Sequence, residues 1–276
     1  MIKIKLENKF KLYDTVTCGQ IFRFYELDDN SFDIILSDRI INVYQKNNYL
    51  YITSNKEDNL KEVVINYFDL ENDYEKMNDY LIKKDDKLKD AISFSSGLTM
   101  IRQQPFETIF EYIISANNGV PQITNSLNLV SEKYGRKVNF NDKEYFLFPS
   151  SEDSKDVTES DLRNCKVGFR DKYLKKIIDK VNKGEFDINS IFEMDTQTAL
   201  NKLMENNGIG PKVASCILLF AYQKYDVFPI DTWVKKIMKN NYEIEGEKNI
   251  RKFAKETYGK YSGIAIQYLF NYSRNS

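Results

Sequence analysis

Over its first fifty-odd residues the chain alternates apolar and polar positions. "KFKLYDTV", "QIFRFYEL", "SFDIILSD", "RIINVYQK" and "YLYITS" each carry β-formers at a period near two, the spacing of a strand with one buried face. Polar turns such as "DDNS" and "KNN" separate them, so the pattern predicts an antiparallel meander. From about Glu57 the period becomes helical, first in "NLKEVVINYFDL" and "YEKMNDYLIKK". From residue 99 the signal is helical with little strand character. Pro105 opens "PFETIFEYIISA", and Asn117, Asn118, Gly119 and Pro121 interrupt before "QITNSLNLVSEKYG". Then come "RDKYLKKIIDKVNKG", "TQTALNKLMEN", "PKVASCILLFAYQK", "TWVKKIMKN", "EKNIRKFAKETYG" and "SGIAIQYLFNYS", punctuated by prolines that suit a first helical turn and by glycines that suit an end. The expected class is α+β: an N-terminal antiparallel sheet with helices over 1–98, followed by an all-α domain over 99–276, with no internal repeat.

Composition narrows the chemistry. A chain of 276 residues with 42% apolar and 14% aromatic side chains can bury enough surface to offset chain entropy, and suits two coupled domains. No apolar run approaches the ~18 residues that span a bilayer, and "MIKIKLENKFKLYD" lacks a signal-peptide core, so a cytoplasmic protein without membrane contact is expected. Cys18, Cys165 and Cys216 lie far apart, a spacing that indicates neither disulfides nor a zinc or iron–sulfur site. Histidine is absent, which removes imidazole bases and Ser-His-Asp or Cys-His nucleophiles and leaves Lys, Asp, Glu, Tyr and Cys. The net charge of −1 by itself argues against a polyanion partner, but its distribution is uneven. Residues 163 to 183 carry eight Lys or Arg against two Asp, whereas 55 to 90 carry eleven Asp or Glu against seven Lys. Either run is compatible with a solvated helix face; together they tilt the reading toward a polyanion.

The sharpest local signal is "NNGIGPKVASC" at 206–216. A helix that stops near Asn206, then Asn207, Gly208, Ile209, Gly210 and Pro211, then a second helix, makes a tight helix-hairpin-helix. Gly208 can take positive φ, Gly210 permits close approach of another backbone, Pro211 is preset for the first turn, and Ile209 is expected to bury. The N–H groups at the turn point outward and suit a phosphodiester without reading sequence. An ordinary glycine-stopped αα-turn satisfies the same pattern. Lys212 adds chemistry: at the first turn of a helix the macrodipole disfavours its charged form, as partial burial would, and an amine so placed is a nucleophile. Cys216, one turn on, shares its face. In "DVFPIDTWVKKIM" Asp231 stands before a helix as an N-cap; a capped carboxylate is fixed and ionised, able to face a developing cation.

These residues resemble a known family. "NGIGPKVASC", with the aspartate of "FPIDTWV" nineteen residues after its lysine, resembles the helix-hairpin-helix-Gly-Pro-Asp superfamily of base-excision DNA glycosylases. "LYDTVTCGQIFRF" is similar to the "LxxTLxxGQxFRW" signature of the 8-oxoguanine branch, and "IRQQPFETIFEYIISANN" to that branch's helix entering the DNA-contact loop. With no cysteine after Cys216, the chain lacks the four-cysteine cluster motif usual in endonuclease III and adenine glycosylases, and it resembles the bacterial branch of the 8-oxoguanine enzymes. The resemblance implies a monomer acting on double-stranded DNA that contains oxidised guanine, with no metal or organic cofactor. It implies that Lys212 displaces the base and forms a Schiff base with the sugar, that Asp231 supports the cationic transition state, and that β-elimination then nicks the strand. Cys216 and Phe270 would sandwich the extruded purine. Gly19 would test the lesion through its carbonyl, because the oxidised base carries a hydrogen at N7 where guanine has a lone pair. Asn117 would fill the gap beside the orphaned base and Arg170 would reach into the opened duplex. Asn118, Gly208, Gly210 and Trp233 complete the implied duplex contacts. Where the family usually reads the Watson–Crick edge with glutamine, alignment places Ile266, with Gln267 about 100° round the helix. Gln122 and Phe169 stand where eukaryotic members have Arg and Tyr facing the opposite cytosine, which predicts relaxed opposite-base preference, by roughly 1–3 kcal/mol per lost contact. Two other readings stay open here: a glycosylase for other damaged purines, although 3-methyladenine enzymes often lack the hairpin lysine, and a non-catalytic DNA-binding module.

Overall fold

A computed structural model describes residues 1–275. The chain begins with strand β1 (Ile2–Lys5), helix α1 (Leu12–Thr17), then β2 (Phe24–Glu26), β3 (Phe32–Ile35), β4 (Ile40–Lys46) and β5 (Tyr49–Ser54). The five strands form one antiparallel sheet in the order β1-β5-β4-β3-β2. The expected meander is β2 to β5; at the tight β4–β5 turn Asn47 takes φ 53°, a left-handed conformation that Asn tolerates. β1 then pairs with β5, so the alternation of "IKIK" at 2–5 was a further strand signal that the segments quoted above passed over.

One expected strand is a helix. Within "KFKLYDTV", Leu12, Thr15 and Val16 are buried at helical spacing, and the helix start is capped from a distance: Gln45 Oε1 accepts from Leu12 N at 2.7 Å while Gln45 Nε2 donates to Phe10 O at 2.8 Å. A six-residue helix has little stability of its own, so this tertiary cap decides against the local alternation.

Helices α2 (Leu60–Tyr67), α3 (Tyr74–Lys84) and α4 (Lys89–Phe94) follow. The first packs Leu60, Val64 and Tyr67 against the sheet residues Ile4, Ile41, Val43, Leu50 and Ile52, while residues of the other two join a larger helical core through Met77, Leu81, Ala91 and Ile92. That core is built by α5 (Pro105–Ser115), α6 (Val120–Tyr134), α7 (Glu159–Asn164), α8 (Asp171–Asn182), α9 (Thr196–Met204), α10 (Pro211–Tyr222), α11 (Thr232–Tyr242), α12 (Glu247–Thr257) and α13 (Ser262–Asn275).

This second region is not wholly helical. Between α6 and α7 lies a hairpin of β6 (Lys137–Phe140) and β7 (Lys143–Phe146), turned by Asn141 and Asp142, both at positive φ (49° and 58°). Adjacent positive-φ Asn and Asp are the signal for a two-residue hairpin turn; four-residue strands were too short to stand out by period. Tyr145 and Leu147 pack on Ile35 and Ile40, and the Tyr145 hydroxyl donates to Asp33, so the hairpin buttresses the N-terminal sheet.

Candidate active site

The hairpin between α9 and α10 has the conformation its sequence calls for. Asp195 caps α9 by accepting from the N–H groups of Gln197 and Thr198, and the turn passes through Gly208 at φ +91° with Ile209 buried. A Cβ on Gly208 would fall 2.8 Å from the Tyr173 ring, so the position is closed to side chains both by conformation and by space. Around Gly210 the space is open: nothing lies within 4 Å of where a Cβ would stand, and the start of α10 has no side-chain cap. Its first N–H groups are therefore available to an anion.

Lys212 follows in the first turn of α10, half-buried, with Nζ 5.4 Å from the centre of the Tyr112 ring. That ring is stacked on Phe220 (5.6 Å, 9° between planes) and edge-on to Phe22, a rigid aromatic floor for the lysine. Cys216 lies one turn along. Burial pushes its thiol up to about 11; the Lys212 ammonium offsets part of the shift and the Asp231 carboxylate adds to it, which places all three groups within one electrostatic neighbourhood. Asp231 caps α11 as expected, its Oδ1 accepting from Val234 N at 2.8 Å. This bond orients the carboxylate and leaves its second oxygen without a hydrogen-bond partner among the described residues.

The opposite wall comes from the two ends of the chain. Gly19 follows α1 at φ +89°, and a methyl there would stand 3.3 Å from Arg274 Nη1 and 3.6 Å from Phe270 Cε1. The residues after it act as anchors. Gln20, fully buried, accepts from Ile101 N at 2.8 Å and donates to Thr99 O at 2.7 Å; Arg23, also buried, pairs with Glu107 at 2.7 Å and donates to the Phe146 carbonyl. The "GQIFR" stretch thus pins the Gly19 turn to the helical domain. From α13, Gln267 Nε2 donates to the Cys18 carbonyl at 3.3 Å, while no hydrogen bond among the described residues uses the Gly19 carbonyl.

Between these walls lies a cavity of about 400 Å³, lined by Gly19, Asn118, Lys212, Cys216, Asp231, Trp233, Ile266, Gln267 and Phe270 among others. Nine of the sequence-derived candidates therefore share one pocket, of a size usual for a small-molecule site. Chemically it offers an amine, a fixed carboxylate, a neutral thiol, an aromatic ring and a free carbonyl.

The chain matches the model of the 8-oxoguanine DNA glycosylase N-terminal domain over residues 1–109. It is 32% identical over 239 residues to the probable N-glycosylase/DNA lyase of Methanothermobacter thermautotrophicus, which covers 79% of this chain and 76% of the relative. The apo-form crystal structure of Clostridium acetobutylicum 8-oxoguanine glycosylase/lyase is similar with a TM-score of 0.93 at 38% identity, covering 98% of this chain and 95% of that one. The chain belongs to the 8-oxoguanine DNA glycosylase/lyase family. The Clostridium enzyme in complex with double-stranded DNA containing cytosine opposite 8-oxoguanine is likewise similar (TM-score 0.92, 36% identity, covering 99% and 98%).

Six candidates lie outside this pocket. Gly208 and Gly210 sit in the hairpin; Asn117, exposed at φ 53°, and Gln122 belong to the α5–α6 connection and the first turn of α6. Gln122 Nε2 reaches Ser126 Oγ at 3.4 Å and Lys166 O at 3.5 Å. Phe169 is 59% exposed. Arg170 departs from the expected role: only 7% exposed, its guanidinium donates to Ala116 O and Val167 O. It braces the Asn117 turn from behind instead of projecting outward. The Phe169 ring, 4.6 Å from the guanidinium carbon, is the group that protrudes. The pocket residues outside the candidate set include Tyr112 and Arg274. Tyr112 gave no signal apart from its place in an apolar helix; Arg274 had one, because it follows Phe270 by four residues and so shares its face.

Proposed function

We propose that the enzyme excises 8-oxoguanine from duplex DNA after the damaged nucleotide has swung out of the stack into the 400 Å³ cavity, and that Lys212 is the nucleophile. The observation that carries this reading is the convergence of Lys212, Asp231, Cys216, Phe270 and the unpartnered Gly19 carbonyl on that one space.

The steps follow from the groups present. In its free-amine form Lys212 attacks the anomeric carbon; the glycosidic bond breaks, its electron pair leaves with the base, and the base takes up a proton. Positive charge develops on the sugar as the bond lengthens, and the carboxylate of Asp231, held by Val234 N, stabilises it. Ring opening of the amino sugar yields the Schiff base, whose electron sink allows loss of a proton from C2′ and departure of the 3′ phosphate. The Gly19 carbonyl accepts from N7–H of the oxidised base, whereas guanine would set a lone pair against it and leave a buried acceptor unmet, a difference of about 1–3 kcal/mol. Gln267, anchored by its amide nitrogen to Cys18 O, keeps its side-chain oxygen for the base edge, and that bond supports a reading in which it serves where Ile266 takes the aligned position.

Borohydride added during reaction with a duplex containing one 8-oxoguanine should trap a covalent protein–DNA adduct. Release of base without an adduct from the parent chain, or an adduct that survives Lys212→Gln, would remove Lys212 as nucleophile. With Gln122 and Phe169 in place of the bidentate and phenolic contacts, excision opposite adenine, guanine and thymine is expected alongside cytosine; cleavage confined to cytosine-paired lesions refutes this part.

A further inference from the structure

The basic run at 163–183 is not used by the pocket. Lys172, Lys176 and Lys180 of α8 and Lys183, its C-cap in right-handed helical conformation, follow at intervals of four, four and three residues and so form one stripe. The stripe borders the hairpin. Lys176, Lys180 and Lys183 line a groove of about 340 Å³ together with Asn206 and Asn207, the residues that lead into Gly208. Tyr173 supports Gly208 from below, and Lys180 Nζ donates to Asn206 Oδ1 at 2.9 Å, so this helix and the hairpin are locked side by side.

The stripe is a continuous row of lysines without carboxylate partners. On α11 and α12, Lys235, Lys239, Arg251 and Lys252 have carboxylates within 4.0 Å, whereas Lys236, Lys248 and Lys255 have none among the described residues. On α8, Lys175 is paired with Asp179 at 2.7 Å. Among the described residues no carboxylate lies within that distance of Lys172, Lys176 or Lys183. Two carboxylates line the groove: Asp179, already held by Lys175, and Glu185. Uncompensated ammonium groups in a row suit a chain of phosphates. Eleven residues of helix advance about 16 Å, and phosphates on one strand advance about 3.4 Å per base pair along the axis, so the stripe spans about five of them. Lysine is a point charge without the forked geometry that reads bases, which suits contact that ignores sequence.

We propose that the Lys172, Lys176 and Lys183 face of α8 is a second phosphate track, continuous with the hairpin, that holds flanking undamaged duplex and keeps the enzyme on DNA between lesions. It rests on duplex DNA being the substrate, but its test does not need excision. The affinity of the full chain for an undamaged duplex is measured between 50 and 200 mM salt. Each phosphate neutralised contributes about 0.9 to the slope of log affinity against log salt, so the Lys172→Gln/Lys176→Gln/Lys183→Gln variant should lose about 2 to 3 from the parent's slope. Lys175→Gln, which removes an ion-paired lysine of the same helix, should leave it unchanged. A triple variant with the parent's slope overturns the proposal, as does an equal loss in Lys175→Gln. If thermal melting shows the triple variant unfolded, Lys176→Gln and Lys183→Gln are measured singly, with a loss of about 0.9 each expected and no loss decisive against it. A parent chain that binds undamaged duplex with the expected slope yet traps no adduct would sink the excision reading and leave the track standing.

Discussion

The two walls of the cavity are built in opposite ways. Lys212, Cys216 and Asp231 lie within twenty consecutive residues, set by two helix starts and the turns before them. The facing wall joins Gly19, beyond the first helix, to Ile266, Gln267, Phe270 and Arg274 of the last, and the bond from Gln267 to Cys18 closes a sequence distance of 249 residues. The groups assigned to bond-breaking are thus encoded locally, where helix-end geometry sets the places of Lys212 and the Asp231 carboxylate. Those assigned to choosing the base exist only once the whole chain has packed. If that division holds, substitutions on the first wall should stop chemistry on any substrate, and those on the second should matter only when a base is present.

The largest effect is expected for Lys212→Gln, which should abolish trapping and strand nicking on 8-oxoguanine and abasic duplexes alike, by at least about 10³-fold in single-turnover rate. Persistent nicking would mean that a second amine does the work. Next, Asp231→Asn keeps the cap on Val234 N, since Asn caps nearly as well, so the melting temperature should hardly move while excision slows about 10²-fold to 10³-fold. Equal rates would leave Asp231 a cap and nothing more. A smaller, selective loss is expected on the other wall. Alanine at Gly19 would have to adopt φ near +89° against Arg274 and Phe270, at a backbone cost of about 1–2 kcal/mol. Excision of 8-oxoguanine should fall about tenfold while adduct formation on an abasic duplex holds; parallel losses on both substrates would show that the walls cannot be separated.

The mildest effect concerns Cys216, which stands on the first wall and faces the base. Because burial pushes the thiol up to about 11, it stays protonated at every pH well below that, a neutral and polarisable surface for a purine. Cys216→Ala should lower the rate only a few-fold and leave the shape of the pH–rate profile between pH 6 and 9 unaltered. Loss of an ionisation within that range on substitution would show that a thiolate takes part.

Legibility in the sequence followed the same division. Gly208, Ile209, Pro211 and Asp231 could be read because each answers a local demand: a positive φ, a buried hairpin tip, a first helical turn, a cap. The "GQIFR" stretch was readable by resemblance, but its physical role needed Thr99, Ile101, Glu107 and Phe146 in place around Gln20 and Arg23. Helix α1 was misread because Gln45, far along the chain, supplies the cap that settles its conformation. The β6–β7 hairpin was missed because each strand spans only four residues and finds its burial against Ile35 and Ile40. Arg170 was expected, by resemblance, to reach into the opened duplex; that its guanidinium instead satisfies the Ala116 and Val167 carbonyls depends in part on the α5–α6 turn being within reach.

By itself the sequence determined the succession of a sheet region and a mainly helical region, the hairpin with its lysine and the capped aspartate, since hydrophobic period, glycine conformation and helix capping act over a few residues. Only the tertiary structure decided that Gly19 and Phe270 face Lys212 across one cavity, that Gln267 is tied at Cys18, and that Arg170 points inward. These are packing outcomes, in which buried hydrogen bonds and close contacts between distant segments select one arrangement out of many that local preferences leave equally open.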